Sequence, residues 1–122
     1  MRYLAFVKGP ELPMDQVPPA MFEAMGKYTA EQAAKGVFLS GGGLAPTAHS
    51  FRAAIRGGKV VVTDGPFTES KEVIGGYAFL SHATHEEAVA GAKEFMELHI
   101  KHWPGWEGSC EVRPIMDMVP QQ

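Results

Sequence analysis

The chain orders its strand and helix signals as two strand–helix–strand halves around a glycine-turned hairpin, and few folds accommodate that order. Tyr3 to Val7 reads as a first strand, short and rich in apolar and aromatic side chains. Gly9-Pro10-Glu11-Leu12-Pro13 stops it, and Pro18-Pro19 suits a helix start, where a missing N–H costs little. From Ala20 to Lys35 apolar residues recur at helical spacing, at Met21, Met25 and Tyr28, with Gly36 set to end the helix in a left-handed cap. Val37-Phe38-Leu39 predicts a short second strand, broken by Gly41-Gly42-Gly43. In the second half, Ile74 to Ser81 is a strand, and Thr84 with Glu87 forms a capping box for a helix running to about Lys101. Trp103-Pro104-Gly105-Trp106 interrupts it, and Ser109 to Ile115 is the last strand before a polar tail.

Between the halves lie Phe51 to Arg56 and Lys59 to Thr63, joined by Gly57-Gly58, a pair that permits the positive φ of a tight hairpin turn. The expected fold is α+β: a ferredoxin-like antiparallel sheet with two helices on one face and this hairpin inserted. Its other face needs a cover. Phe51, Ala53 and Ile55 alternate with Arg52, Ala54 and Arg56, so one face of that strand is polar, whereas Val60 to Val62 predicts burial on both sides. A second copy of the chain is the simplest cover, in an isologous dimer.

Length and charge exclude several classes. The 122 residues suit one domain, 1–122, with roughly two thirds of the unfolded surface buried. A net charge of −3 with 11 scattered Lys and Arg argues against nucleic acid. No apolar run approaches the roughly 20 residues of a membrane helix, and no secretory signal opens the chain. The single Cys110, beside Val112 in a strand, reads as a core thiol in a reducing compartment, so the expected location is cytoplasmic. Gly41-Gly42-Gly43 lacks the Lys-Ser/Thr of a phosphate loop.

Chemistry concentrates after β-forming Val60 to Thr63, where Asp64-Gly65-Pro66-Phe67-Thr68-Glu69-Ser70-Lys71-Glu72 packs a turn and four ionisable side chains together. Asp64 either caps the turn or serves as a ligand group at a strand end, with Phe67 pinning the turn to the core. Asp64 and Glu69 are acid/base candidates, Lys71 and Arg52 would hold an anion, and Tyr77 would line a pocket beside Glu69 and Lys71. Gly75-Gly76 inside a strand reads as a bulge, or else as a close approach of backbone or ligand. His99, on the helix face that continues Ala92 and Phe95, is placed against the sheet and is a further ligand or base candidate. His82 and His85 diverge around a helix cap, His99 and His102 have no nearby ligand partners, and no metal is expected. Trp103 and Trp106 read as a plug for the end of the core.

The segment Asp64 to Glu72, closed by Gly75-Gly76-Tyr77, resembles the signature of the YCII-related family of DGPF-domain proteins. The likeness extends to the opening Arg2-Tyr3-Leu4 and the closing Glu111-Val112-Arg113-Pro114-Ile115-Met116. It implies a small, cofactor-free dimeric α+β barrel with a ligand pocket. Relatives in the wider superfamily act on small ring-derived acids or lactones with a His-Asp pair whose histidine lies in the first helix. Here the helix from Ala20 to Lys35 has no histidine, so that pair does not carry over. The leading expectation is a small-molecule-binding homodimer with cofactor-free lyase or isomerase chemistry on a small polar or acidic metabolite. The alternative is a non-catalytic regulatory or interaction module, since such domains resemble companions of alternative sigma factors. A monooxygenase-like barrel is a third reading that no residue demands.

Overall fold

The computed structural model describes residues 1–116, and the polar tail expected after Met116 lies outside the described residues. Six strands and two helices follow in the order β1 (Arg2–Gly9), α1 (Pro19–Ala34), β2 (Phe38–Gly43), β3 (Phe51–Arg56), β4 (Lys59–Asp64), β5 (Val73–Ser81), α2 (His85–His102) and β6 (Ser109–Pro114). Four strands form one sheet in the order β2-β5-β1-β6, with every neighbouring pair antiparallel. Strands β3 and β4 make a separate two-stranded sheet. This is the ferredoxin-like α+β fold that the two half-repeats predict, with the hairpin standing apart.

Local chemistry sets the helix ends. Pro18 and Pro19 open α1, with the Met21 N–H donating to the Pro18 carbonyl at 2.9 Å. At its far end Gly36 has φ +76°, its N–H donates to Ala33 O, and the Val37 N–H donates to Gln32 O at 2.9 Å. That bond pair is a Schellman cap, and only a residue tolerant of positive φ completes it. Helix α2 starts at Thr84, whose hydroxyl oxygen accepts from the Glu87 N–H at 3.1 Å, while Glu87 Oε2 accepts from the Ala83 N–H at 3.0 Å. The box thus reaches back one residue further than the standard pattern. Thr84→Ala is expected to cost about 1 kcal/mol, a fall of about 3–5 °C in melting temperature by calorimetry.

Helix-facing residues of the sheet, Tyr3 and Ala5 of β1 with Ala78 and Leu80 of β5 and Cys110 and Val112 of β6, meet the two helices. Tyr3, Ala5, Met21 and Ala88 are buried there. On the opposite face, strand alternation and register line up Leu4 and Phe6, Tyr77 and Phe79, and Glu111 and Arg113. Among the described residues no element covers them: Tyr77 and Phe79 are each 37 % exposed and stack edge-on at 6.2 Å. Lys8 and Glu111 pair beside them at 2.9 Å.

Two sequence expectations change and a third holds. Gly41-Gly42-Gly43 does not break β2 but belongs to it, paired with Ala78, Tyr77 and Gly76 of β5. A Cβ on Gly41 would come 2.5 Å from the Tyr77 carbonyl oxygen, so glycine there lets two backbones close in. Val60, Val61 and Val62, expected to be buried on both sides, are all exposed in the single chain. The Gly75-Gly76 bulge is present, because Val7 pairs with Gly76 and Lys8 with Ile74, leaving Gly75 as the extra residue. Among the described residues, no helix is long and apolar enough to cross a membrane.

Candidate functional site

The turn after β4 is held from three sides. Gly65 donates its N–H to the Ser50 carbonyl at 2.8 Å and lies so close to the Thr47 carbonyl that a Cβ would overlap that oxygen. Phe67 is buried, as expected for a pin, and its N–H donates to Thr47 Oγ1 at 3.2 Å. Thr47 is anchored in turn by Glu11, which accepts its N–H at 2.8 Å and its hydroxyl at 2.7 Å. Those two bonds hold the Glu11 carboxyl below the usual carboxylate range.

Arg52, projecting from β3, closes the third side. Its guanidinium lies 3.7 Å from the centre of the Phe67 ring, a cation–π contact. Nη1 donates to Glu69 Oε1 at 2.5 Å and Nη2 to Ser70 Oγ at 3.1 Å. The Glu69 carboxyl is lowered first by its own backbone N–H and then by Arg52. It is therefore a carboxylate throughout the neutral range, and its geometry is that of a group orienting Arg52. Two of the five guanidinium N–H donors serve Glu69 and Ser70, so Arg52 retains donor capacity toward an anion.

The structure thus brings Arg52 and Glu69 into one cluster, with Lys71 exposed two residues further along the same loop. Asp64 ends β4 directly opposite Phe51, exposed and on the same face of the hairpin. Tyr77 lies on the open face of the main sheet instead, against Phe79. His99 is in a third place, 4 % exposed near the end of α2. Its Nδ1 is 2.9 Å from the Phe95 carbonyl, so in the neutral ring Nδ1–H donates and Nε2 keeps the lone pair. The ring packs 4.8 Å from Phe95 and 4.7 Å from Trp106, which stacks on Trp103 as the expected plug. Burial pushes the His99 pKa below its ordinary value, with the Phe95 carbonyl opposing in part.

Two cavities lie on the helical side of the sheet. One, about 550 Å³, runs between α2 and β6 over Tyr3, Ala88, Ala92, Met96 and Val112. The other, about 70 Å³, lies between the helices above Ala78 and Leu80. None of the six candidate residues lines either. Half-buried Cys110 borders both, and burial raises its thiol pKa, as befits a core sulfur. Glu11 and Thr47 escape a reading of the sequence, since 36 residues separate them and neither stands in a recognisable motif.

No curated protein matches the chain. The YCII-related domain matches residues 1–119, nearly the full length, and takes in both the 64–72 turn and the four-stranded sheet. The chain belongs to the YCII-related domain family.

Proposed function

We propose that the chain works as a homodimer that binds a small acidic metabolite beside the 64–72 turn, as a cofactor-free lyase or isomerase. The observation that carries this reading is a braced cationic group, Arg52 with Lys71 on the adjoining loop, at the same end of the hairpin as an exposed carboxylate, Asp64, which projects from the hairpin's other, uncovered apolar face. Surface area supports the dimer. The chain presents 8897 Å², whereas a compact monomer of 13.2 kDa presents about 6,400 Å². The excess of about 2,500 Å² matches what each subunit of an obligate homodimer buries, about 1,000–2,500 Å². In this reading Arg52 and Lys71 hold the substrate carboxylate, Asp64 moves the proton, and Glu69 orients Arg52. Tyr77, on the sheet face, and His99, in the core, lie away from that turn and do not hold the substrate in this reading. The dimer is cytoplasmic, where Cys110 stays reduced.

A thermal-shift screen of small carboxylic acids tests the site. Lys71→Ala is expected to weaken a hit about tenfold, the loss of one exposed charge contact. Asp64→Asn is expected to leave binding near wild type and lower turnover at least about a hundredfold. Hits that ignore both substitutions in folded protein would reassign the site. A second reading, favoured by the exposed apolar hairpin, is a regulatory or interaction module working with an alternative sigma factor, without catalysis. It predicts a protein partner whose capture depends on residues 51–72 and no turnover of any hit.

A further inference from the structure

The β3–β4 hairpin is amphipathic in a way that its register makes explicit. Directly opposed residues share a face, so Phe51 with Asp64, Ala53 with Val62, and Ile55 with Val60 lie together. The other face carries Arg52 with Thr63, Ala54 with Val61, and Arg56 with Lys59. The first face is almost wholly apolar and wholly uncovered: Phe51 is 68 % exposed, Ile55 79 %, Val60 72 % and Val62 62 %. Together they form a patch of several hundred Å², the size that marks an interaction site rather than ordinary surface. A two-stranded sheet alone is marginal in water, and this one shares no strand pairing with the main sheet. Among the described residues none covers its apolar face, which therefore calls for a cover.

Building on the homodimer reading, we propose that the β3–β4 hairpin is an arm whose apolar face docks on a second copy of the chain, and that this docking walls in Asp64 and completes the site. Surface area points to a second copy as the occupant. The surplus surface has the size that an obligate self-interface buries, and the hairpin contributes a highly exposed apolar portion of it. Asp64 shares the docking face with Phe51, so the contact that covers Phe51 also excludes water from the carboxylate. Arg52, pointing to the other face, remains tied to Glu69 and Ser70 at the margin of the contact. Water exclusion there strengthens every charge interaction that a bound anion makes.

Three neighbouring valines supply the experiment, because they differ in face and not in chemistry. Val60→Lys and Val62→Lys, with Ile55→Lys as a third variant, are expected to raise the dimer dissociation constant at least about thirtyfold in sedimentation velocity. Val61→Lys, on the opposite face, is expected to sediment as the wild type, and far-UV circular dichroism should show all four variants folded. Asp64→Cys in a Cys110→Ser background should resist iodoacetamide in the dimer and react once Val60→Lys is added. A wild-type dimer that survives all apolar-face substitutions overturns the arm and leaves the dimer standing. A monomeric wild type overturns both. Equal loss from Val61→Lys overturns the face assignment, and rapid alkylation of Asp64→Cys in an intact dimer overturns the walling of Asp64.

Discussion

Gly65→Ala should destabilise the folded protein by at least about 3 kcal/mol and lower its melting temperature by about 10 °C, the largest single-residue effect expected in the turn. The cause is space rather than torsion, since Gly65 is not among the glycines with positive φ. An added Cβ would overlap the Thr47 carbonyl oxygen and come 2.8 Å from its carbon. Both are backbone atoms, so no side chain can swing aside. Thr47 cannot retreat, because Glu11 grips its N–H and hydroxyl while that same hydroxyl receives the Phe67 N–H. Moving it would release Phe67 from the core and Arg52 from its ring. Gly26→Ala supplies the contrast: nothing lies within 4 Å of a Cβ there, the residue is inside α1, and a gain of about 0.5–1 kcal/mol is expected. Chemical denaturation of the two variants beside wild type separates the effects. A Gly65→Ala protein that melts with wild type would mean that the turn does not rest on Thr47.

That contact also marks where a reading of the sequence stops. Features set by neighbours in the chain were legible. Gly36 had to cap α1, Thr84 and Glu87 had to cap α2, and Gly57 and Gly58, at φ 56° and 78°, had to turn the hairpin. Once those boundaries stood, the two halves admitted few arrangements other than the observed β2-β5-β1-β6 sheet. Features set across space were not legible. Glycine normally interrupts a strand, and the close approach of β5 explains why Gly41 sits inside one. Glu69 was legible as a carboxylate but not as the partner of Arg52, because nothing local says that β3 and the loop after β4 converge. The valines carry the most instructive difference. Their apolar run does imply burial, yet the described residues of one copy do not provide it. The candidate site is divided accordingly, with Arg52 and Glu69 assembled within one copy, Tyr77 on the open sheet face and His99 buried near the end of α2.

Trp106→Ala is expected to cost about 3 kcal/mol at pH 8, toward the low end for removing a large aromatic because the indole is only partly buried. The indole fills a slot that no other residue can take up. A Cβ on Gly9 would stand 2.9 Å from its ring, one on Gly108 would overlap it, and His99 and Trp103 stack against it. The same slot keeps His99 dry, and this links packing to pH. Burial depresses the folded pKa of His99 below its ordinary 6.5, so as pH falls through 6.5 the unfolded chain takes up a proton that the folded chain refuses. Stability is therefore full above about pH 6.5 and declines below it, down to the folded pKa. The carboxylates of Glu11, Glu69 and Glu111, lowered from 4.5, add their own losses only in a more acidic window. Urea unfolding between about pH 7 and about pH 5 isolates the histidine contribution. Wild type should lose stability across that interval. Trp106→Ala, which admits water to the imidazole, should start lower and lose less. A wild-type profile that stays level over the interval, or a variant that falls as steeply, would show that His99 is not shielded by the tryptophan.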